Sequence, residues 1–302
     1  MPSYAYFQNR IVPLEDANLN VMTNFMHYGT AVFEGIRGNW NDAHKQIYIF
    51  RLKEHYQRML DGCHLLNIEL PHTLDDLCRI TVEVVAKCGF EEDVYVRPLA
   101  YKSSQAMGVR LHNLESDFLV FAFPWGRYLD TDHARCCVSS WRFPSEVPRA
   151  KITGLYVTNA FAKTEAVENG FDEAIMLTPD GHVAEGSGEN IFLVINGQLV
   201  TTPGTDGILV GINRNTVITL AREELGIETV ERHISRNELY TAEECFLTGT
   251  AVHFVPVTEI DRRKIADGKI GKLSAKLQKL FHEVILSNNP KYAEWCTPVY
   301  EK

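Results

Sequence analysis

Lys151 closes the extended, proline-led stretch Pro148-Arg149-Ala150-Lys151 and stands just before a run of helical spacing that opens at Gly154. A lysine in such a place is held rather than solvated. Desolvation lowers its pKa and frees the amine to attack a carbonyl, as in Schiff-base formation. On its own the position says little, because most lysines are solvated surface residues. Lys163, beside Thr164 and Glu165 on the same helix, reads as one of that kind. Glu185 belongs to a second motif, Val183-Ala184-Glu185-Gly186-Ser187-Gly188-Glu189-Asn190, in which a carboxylate enters a glycine-flanked turn between apolar strands and can approach a ligand. The glycines sit immediately beside Ser187 and a strand follows, so neither a hydrolase elbow nor a dinucleotide fingerprint is met. In Leu209-Val210-Gly211-Ile212-Asn213-Arg214 glycine opens an amphipathic helix. The unpaired N–H groups of such a start suit a phosphate-sized anion, here without the lysine or spacing of a P-loop. Thr248-Gly249-Thr250-Ala251, between two apolar strands, offers a further set of backbone N–H groups.

The elements that must hold these positions are strands mixed with helices. Tyr4 to Pro13 and Gln46 to Arg51 alternate like half-buried strands. Leu52 to Leu66 repeats its apolar residues at helical spacing, and so does Thr73 to Lys87, with Thr73 as N-cap, Asp75 and Asp76 in the first turn and Gly89 as the stop. Strands follow at Asp93 to Tyr101 and Asp117 to Phe123. Beyond Trp125-Gly126 come a helix at Gly154 to Glu168, strands at Glu173 to Leu177, up to Val183, Asn190 to Val194 and Gln198 to Thr202, and a helix from Gly211 to Leu225. Strands near Glu244 to Leu247 and His253 to Val257 and a helix from Lys272 to Leu286 complete the chain. The layout is α+β in two unequal domains: a small α/β domain over 1–125, a linker over 126–135 and a larger C-terminal domain over 136–302.

At 302 residues the chain suits two moderate cores, and 45% hydrophobic with 23% charged residues is ordinary globular composition. The net charge of −9 argues against nucleic acid, which needs a concentrated positive footprint. No apolar signal opens the sequence and no segment has the length to span a bilayer, so a cytoplasmic protein that does not bind membranes is expected. The seven cysteines are scattered without a CxxC, and the eleven histidines form no HxxxH, so neither a disulfide framework nor a metal site is expected.

His27-Tyr28-Gly29-Thr30-Ala31-Val32-Phe33-Glu34-Gly35-Ile36-Arg37 resembles the signature near the start of class IV aminotransferases. Tyr95-Val96-Arg97-Pro98-Leu99 and Phe123-Pro124-Trp125-Gly126 resemble the branched-chain amino-acid members in particular. Glu185 to Asn190 and Thr248 to Ala251 keep the family's order and spacing, so the resemblance runs from about residue 5 to residue 285. It implies the D-amino-acid-aminotransferase-like α+β fold (fold type IV), with the larger C-terminal domain binding pyridoxal 5′-phosphate. It also implies a ping-pong transfer between leucine, isoleucine or valine and 2-oxoglutarate.

Carried over residue by residue, the resemblance gives Lys151 the Schiff base and the proton shuttle, Glu185 the pyridine nitrogen, and Tyr156 the phenolic oxygen. Arg58, Leu209, Gly211, Ile212, Asn213 and Thr250 would hold the rest of the cofactor, chiefly its phosphate. Asn213 departs from the usual threonine, which keeps the backbone donor and puts a hydroxyl contact in doubt. Tyr95, Thr250 and Ala251 would bind the α-carboxylate, and Arg97 the side-chain carboxylate of glutamate. Tyr28, Phe33, Trp125 and Tyr128 would line an apolar pocket, Gly35 leaving room beside Phe33. Met107-Gly108-Val109 resembles a loop that reaches the neighbouring subunit's site, so a homodimer or higher homo-oligomer is implied. Activity on D-amino acids or (R)-amines, or the elimination catalysed by aminodeoxychorismate lyases, stays open within the same fold. A binder of a small phosphorylated ligand would need neither Lys151 nor Glu185.

Overall fold

Alternating apolar residues bring the first strands together. β1 (Tyr4–Phe7) turns back through Gln8 and Asn9 into β2 (Arg10–Pro13), and the short helix α1 (Asn24–Tyr28) ends at Gly29. β3 (Ala31–Phe33), β4 (Ile36–Asn41) and β5 (Gln46–Phe50) lead into the helices α2 (Leu52–Leu65) and α3 (Leu74–Cys88). The long strands β6 (Val94–Lys102) and β7 (Ser116–Pro124) follow. Their sheet runs from the late strand Cys296–Pro298 through β5, β4, β6, β7 and β1 to β2, with β3 paired to β6. One face is sealed by α2 and α3, whose Tyr56, Met59, Leu77 and Val84 pack on Ile36, Val96 and Phe118. The structure, a computed structural model, describes residues 3–126, 131–142 and 150–301.

The α3 start matches the sequence reading. Thr73 accepts from Asp76 N–H while the Asp76 carboxylate accepts from Thr73 N–H, a reciprocal cap. Gln46–Phe50, expected to be half-buried, is buried at every residue, because it is an inner strand with Cys296–Pro298 on one side and β4 on the other.

A second sheet holds β8 (Ala134–Arg142), β9 (Glu173–Leu177), β10 (Val183–Gly186), β11 (Asn190–Ile195), β12 (Gln198–Thr201), β13 (Thr229–Glu231), β14 (Glu244–Gly249), β15 (His253–Ile260) and β16 (Arg263–Lys264). Its order is β10-β9-β8-β15-β14-β11-β12-β13, and β16 pairs with β15. The helices here are α4 (Tyr156–Glu168), α5 (Ile212–Leu225) and α6 (Lys272–Ile285). Lys163 on α4, expected to be solvated, instead ion-pairs with Glu173 at 2.6 Å and donates to the Asp172 carbonyl at 2.6 Å, because this face of α4 lies on β8 and β9.

Packing separates two compact units. One comprises the described residues within Met1–Gly126, Ala150–Leu155 and Glu283–Lys302; the other lies within Arg127–Arg149 and Tyr156–His282. The sequence suggests one passage over 126–135. The chain instead returns to the first unit twice, since Ile152 bridges to Val32 and Cys296–Pro298 pairs with β5. β8 begins at Ala134, inside that span.

Candidate active site

The stretch that carries Lys151 is held by the first unit's own backbone. Phe33 N–H donates to the Lys151 carbonyl at 2.9 Å and Gly154 N–H to the Gly29 carbonyl at 3.2 Å. A Cβ on Gly29 would lie 2.5 Å from Gly154 Cα, so only glycine allows this approach. Lys151 Nζ then stands 4.9 Å from the centre of the Phe33 ring. The residue as a whole is half-buried, yet its ammonium end is enclosed. Desolvation first, then the cations of Arg58 and Arg97, push its pKa down to about 8 against the opposing influence of Glu34 and Tyr95. On the order of a tenth of such an amine is neutral at pH 7, as proton transfer and attack on a carbonyl require.

Arg58 does not stand alone. Its Nε and Nη2 donate to the two oxygens of Glu34 at 2.7 and 2.8 Å, and His55, three residues earlier on α2, meets the same carboxylate at 2.8 Å. Burial would raise the pKa of Glu34, but Arg58 and His55 outweigh it and hold the carboxylate ionised, at about 2. Burial lowers the pKa of His55, so a neutral ring donates Nδ1–H to Glu34. The sequence reading gave Glu34 and His55 no role. The available signal was His55 and Arg58 at i, i+3 on one helix face, with Glu34 between Phe33 and Gly35.

Tyr95 and Arg97, two apart on β6, share a face of the sheet. Arg97 Nη2 donates to the Tyr95 hydroxyl at 3.0 Å, and its guanidinium lies 4.7 Å from the Phe33 ring centre. Its Nε is buried without a hydrogen-bond partner. Gly35 also makes room for Tyr95: a Cβ there would fall 2.0 Å from the Tyr95 hydroxyl oxygen. Trp125 meets Tyr95 edge-on at 4.5 Å, and Arg37 donates to the carbonyls of Trp125 and, at 2.6 Å, Gly126.

Tyr28 is tied to another segment. Its hydroxyl accepts from Gly108 N–H at 2.9 Å, so it belongs with the Met107–Val109 loop. Val109 is 89% exposed in the single chain. Tyr128 lies outside the described residues.

In the second unit Glu185 is the next-to-last residue of β10 and is buried. Asn190 donates to its carboxylate at 2.9 Å and to the Leu209 carbonyl at 2.8 Å, while Leu209 N–H points to the other Glu185 oxygen at 3.4 Å. The carboxylate is thus aimed by a neighbour that the sequence reading left unassigned. Gly211 caps α5 with no side chain of its own, and a Cβ there would strike Asn190 Oδ1 at 2.0 Å. Ile212 and Asn213 begin α5 and are buried. The Asn213 side chain donates to the Gly249 carbonyl at 2.9 Å. Where a threonine would offer a hydroxyl, the amide here ties the helix start to the loop that carries Thr250 and Ala251. Thr248 Oγ1, next to that loop, is buried without a partner. Tyr156 opens α4, half-buried.

These groups fit pyridoxal phosphate by their chemistry. A buried, partly neutral amine suits its aldehyde, an oriented buried carboxylate its ring nitrogen, and a glycine-capped helix start its phosphate. Among the described residues no group of three or more His, Cys, Asp or Glu could hold a metal ion, and no helix is long and apolar enough to cross a membrane.

Comparison with known proteins agrees over nearly the whole chain. The amino-transferase class IV family matches residues 31–260. A probable branched-chain-amino-acid aminotransferase of Aquifex aeolicus is 46% identical, over 99% of this chain and 97% of the relative. The branched-chain aminotransferase of Thermoproteus uzoniensis, solved with norvaline, superposes with a TM-score of 0.95 at 40% identity, covering 99% and 100% of the two chains. The branched-chain amino acid aminotransferase of Thermobaculum terrenum, solved in its PLP-form, gives a TM-score of 0.93 at 37% identity, covering 99% of each chain.

Proposed function

Because the chain belongs to the class IV aminotransferases of fold type IV, among the branched-chain-amino-acid enzymes, we propose that the residues above perform its reaction in the following way. The reaction is pyridoxal-phosphate-dependent transamination of branched-chain amino acids. Pyridoxal phosphate, when bound, supplies an electrophilic carbon and a protonated ring that draws the electron pair left when a substrate Cα loses its proton.

Lys151 would hold the cofactor through its aldehyde carbon, and its Nζ, once displaced from that carbon by the incoming amino group, would move the proton at the substrate Cα. Glu185, aimed by Asn190, would pair with the ring nitrogen and hold a proton there. Tyr156 would bond the phenolic oxygen. The N–H groups at the start of α5, with Leu209, Gly211, Thr250 and Arg58, hold the phosphate. Tyr95 with Thr250 and Ala251 binds the α-carboxylate, and Arg97 the second carboxylate when glutamate or 2-oxoglutarate is the partner. Phe33 and Trp125 exclude water around the aliphatic side chain. The placement of Lys151, its carbonyl bonded by Phe33 N–H at 2.9 Å and its Nζ 4.9 Å from the Phe33 ring centre, is the observation that carries this assignment.

The same reading includes a cytoplasmic protein acting as a homodimer, with Val109 and Met107, exposed by 89% and 49% in the single chain, presented to the second copy. An absorbance spectrum of the purified, pyridoxal-phosphate-loaded protein tests the function. A near-visible band that L-leucine collapses and 2-oxoglutarate restores is expected. Collapse with D-alanine alone would move the activity to D-amino acids, and no band at all would sink the reading.

A further inference from the structure

Glu34 has no exposed surface, and it follows Phe33, whose ring centre lies 4.9 Å from the Lys151 amine. Three hydrogen bonds hold it: two from Arg58, at 2.7 and 2.8 Å, and one from His55, at 2.8 Å. The arrangement is bidentate on the guanidinium side, which fixes the plane of Arg58 as well as its position. Burial favours neutral His55, so within this cluster the Glu34 charge is set against the Arg58 guanidinium.

Among the described residues, Arg58 and Arg97 act against the proton of the Lys151 amine, and Glu34 and Tyr95 favour it. Of these, Glu34 is the one carboxylate, and it is also the anchor of Arg58. We propose that Glu34 is a positioning residue with two tasks: it fixes the Arg58 guanidinium, and it keeps the Lys151 amine from losing its proton too readily between the two arginines, with His55 as its second anchor. The proposal rests on the reading that Lys151 bonds the cofactor. Neither Glu34 nor His55 needs to touch substrate for it to hold.

Glu34→Gln keeps the shape and removes the charge. The full-length protein, freed of cofactor, is acetylated at a series of pH values and Lys151 acetylation is followed by mass spectrometry. In Glu34→Gln the midpoint moves down, and at pH 7 the reaction quickens by on the order of threefold or more. Glu34→Asp restores the charge on a shorter arm. Its Lys151 midpoint stays near wild type, while pyridoxal phosphate, titrated by fluorescence, binds several-fold more weakly because Arg58 is no longer held by both oxygens.

Glu34→Gln leaves a buried guanidinium unpaired and can fail to fold for that reason alone. The same substitution on an Arg58→Gln background avoids this, and there too the Lys151 midpoint falls relative to Arg58→Gln. A midpoint that stays put or rises on removal of the carboxylate, in either background, overturns the proposal. A wild-type protein that binds no pyridoxal phosphate would defeat the transaminase reading, while the Lys151 profile would still decide the role of Glu34.

Discussion

A methyl group at residue 35 would lie 2.0 Å from the Tyr95 hydroxyl oxygen and 2.8 Å from Cζ, so Gly35→Ala forces Tyr95 aside. Arg97 loses its 3.0 Å bond to that hydroxyl at the same time. Misplacing a binding group by about 1 Å can cost on the order of a hundredfold in rate. The expected result is a loss of kcat/KM of that order in steady-state kinetics, larger with glutamate than with leucine, and an unchanged melting temperature would show that the fold is intact. Gly35 was legible from its place in the His27–Arg37 run. The neighbour it serves was not, since Tyr95 lies sixty residues further along and reaches Gly35 only through the pairing of β4 with β6.

Helices announced themselves because their periodicity is local. α3 shows every signal in its own sequence, and its capping box makes a clean test. Thr73→Ala removes one acceptor from an exposed helix start and should lower stability by about 1 kcal/mol. That corresponds to a fall in melting temperature of roughly 2–4 °C by calorimetry, with transaminase activity retained. A larger loss, or a loss of activity, would mean that α3 does more than seal the sheet. Strands were harder. β3 is three residues long and carries no alternation to detect, yet its pairing with β6 and its bridge to Ile152 set Lys151 beside Phe33. The full burial of Gln46–Phe50 depends on Cys296–Pro298, which arrives from the far end of the chain.

Stability against pH is a property of the whole chain, and Glu189 is the group most able to bend it. Burial, then repulsion from Glu173 and Glu185, opposed by Lys163, pushes its pKa up to about 8. The folded protein therefore keeps a proton that the unfolded chain, with an ordinary value near 4.5, gives up. Folding is not penalised below pH 4.5, and stability falls as the pH climbs from there to about 8. Glu189→Gln, a neutral stand-in for the protonated acid, should flatten that decline, so its advantage over wild type grows across this window in melting curves. Parallel curves would mean that Glu189 is already ionised near neutrality.

The sequence by itself determined the family and the cofactor chemistry, because those depend on short runs whose residue types are fixed by what they must bond. It also determined the long helices, whose apolar period of 3.6 needs no distant partner. Tertiary structure alone decided what surrounds each reactive group. Glu34 meets His55 and Arg58 across a strand-to-helix packing, Asn190 turns to Glu185, Asn213 reaches Gly249, and Lys163 pairs with the buried Glu173. The physical reason is that burial and charge balance are sums over neighbours brought from many parts of the chain, and a pKa or a side-chain orientation is set by that sum.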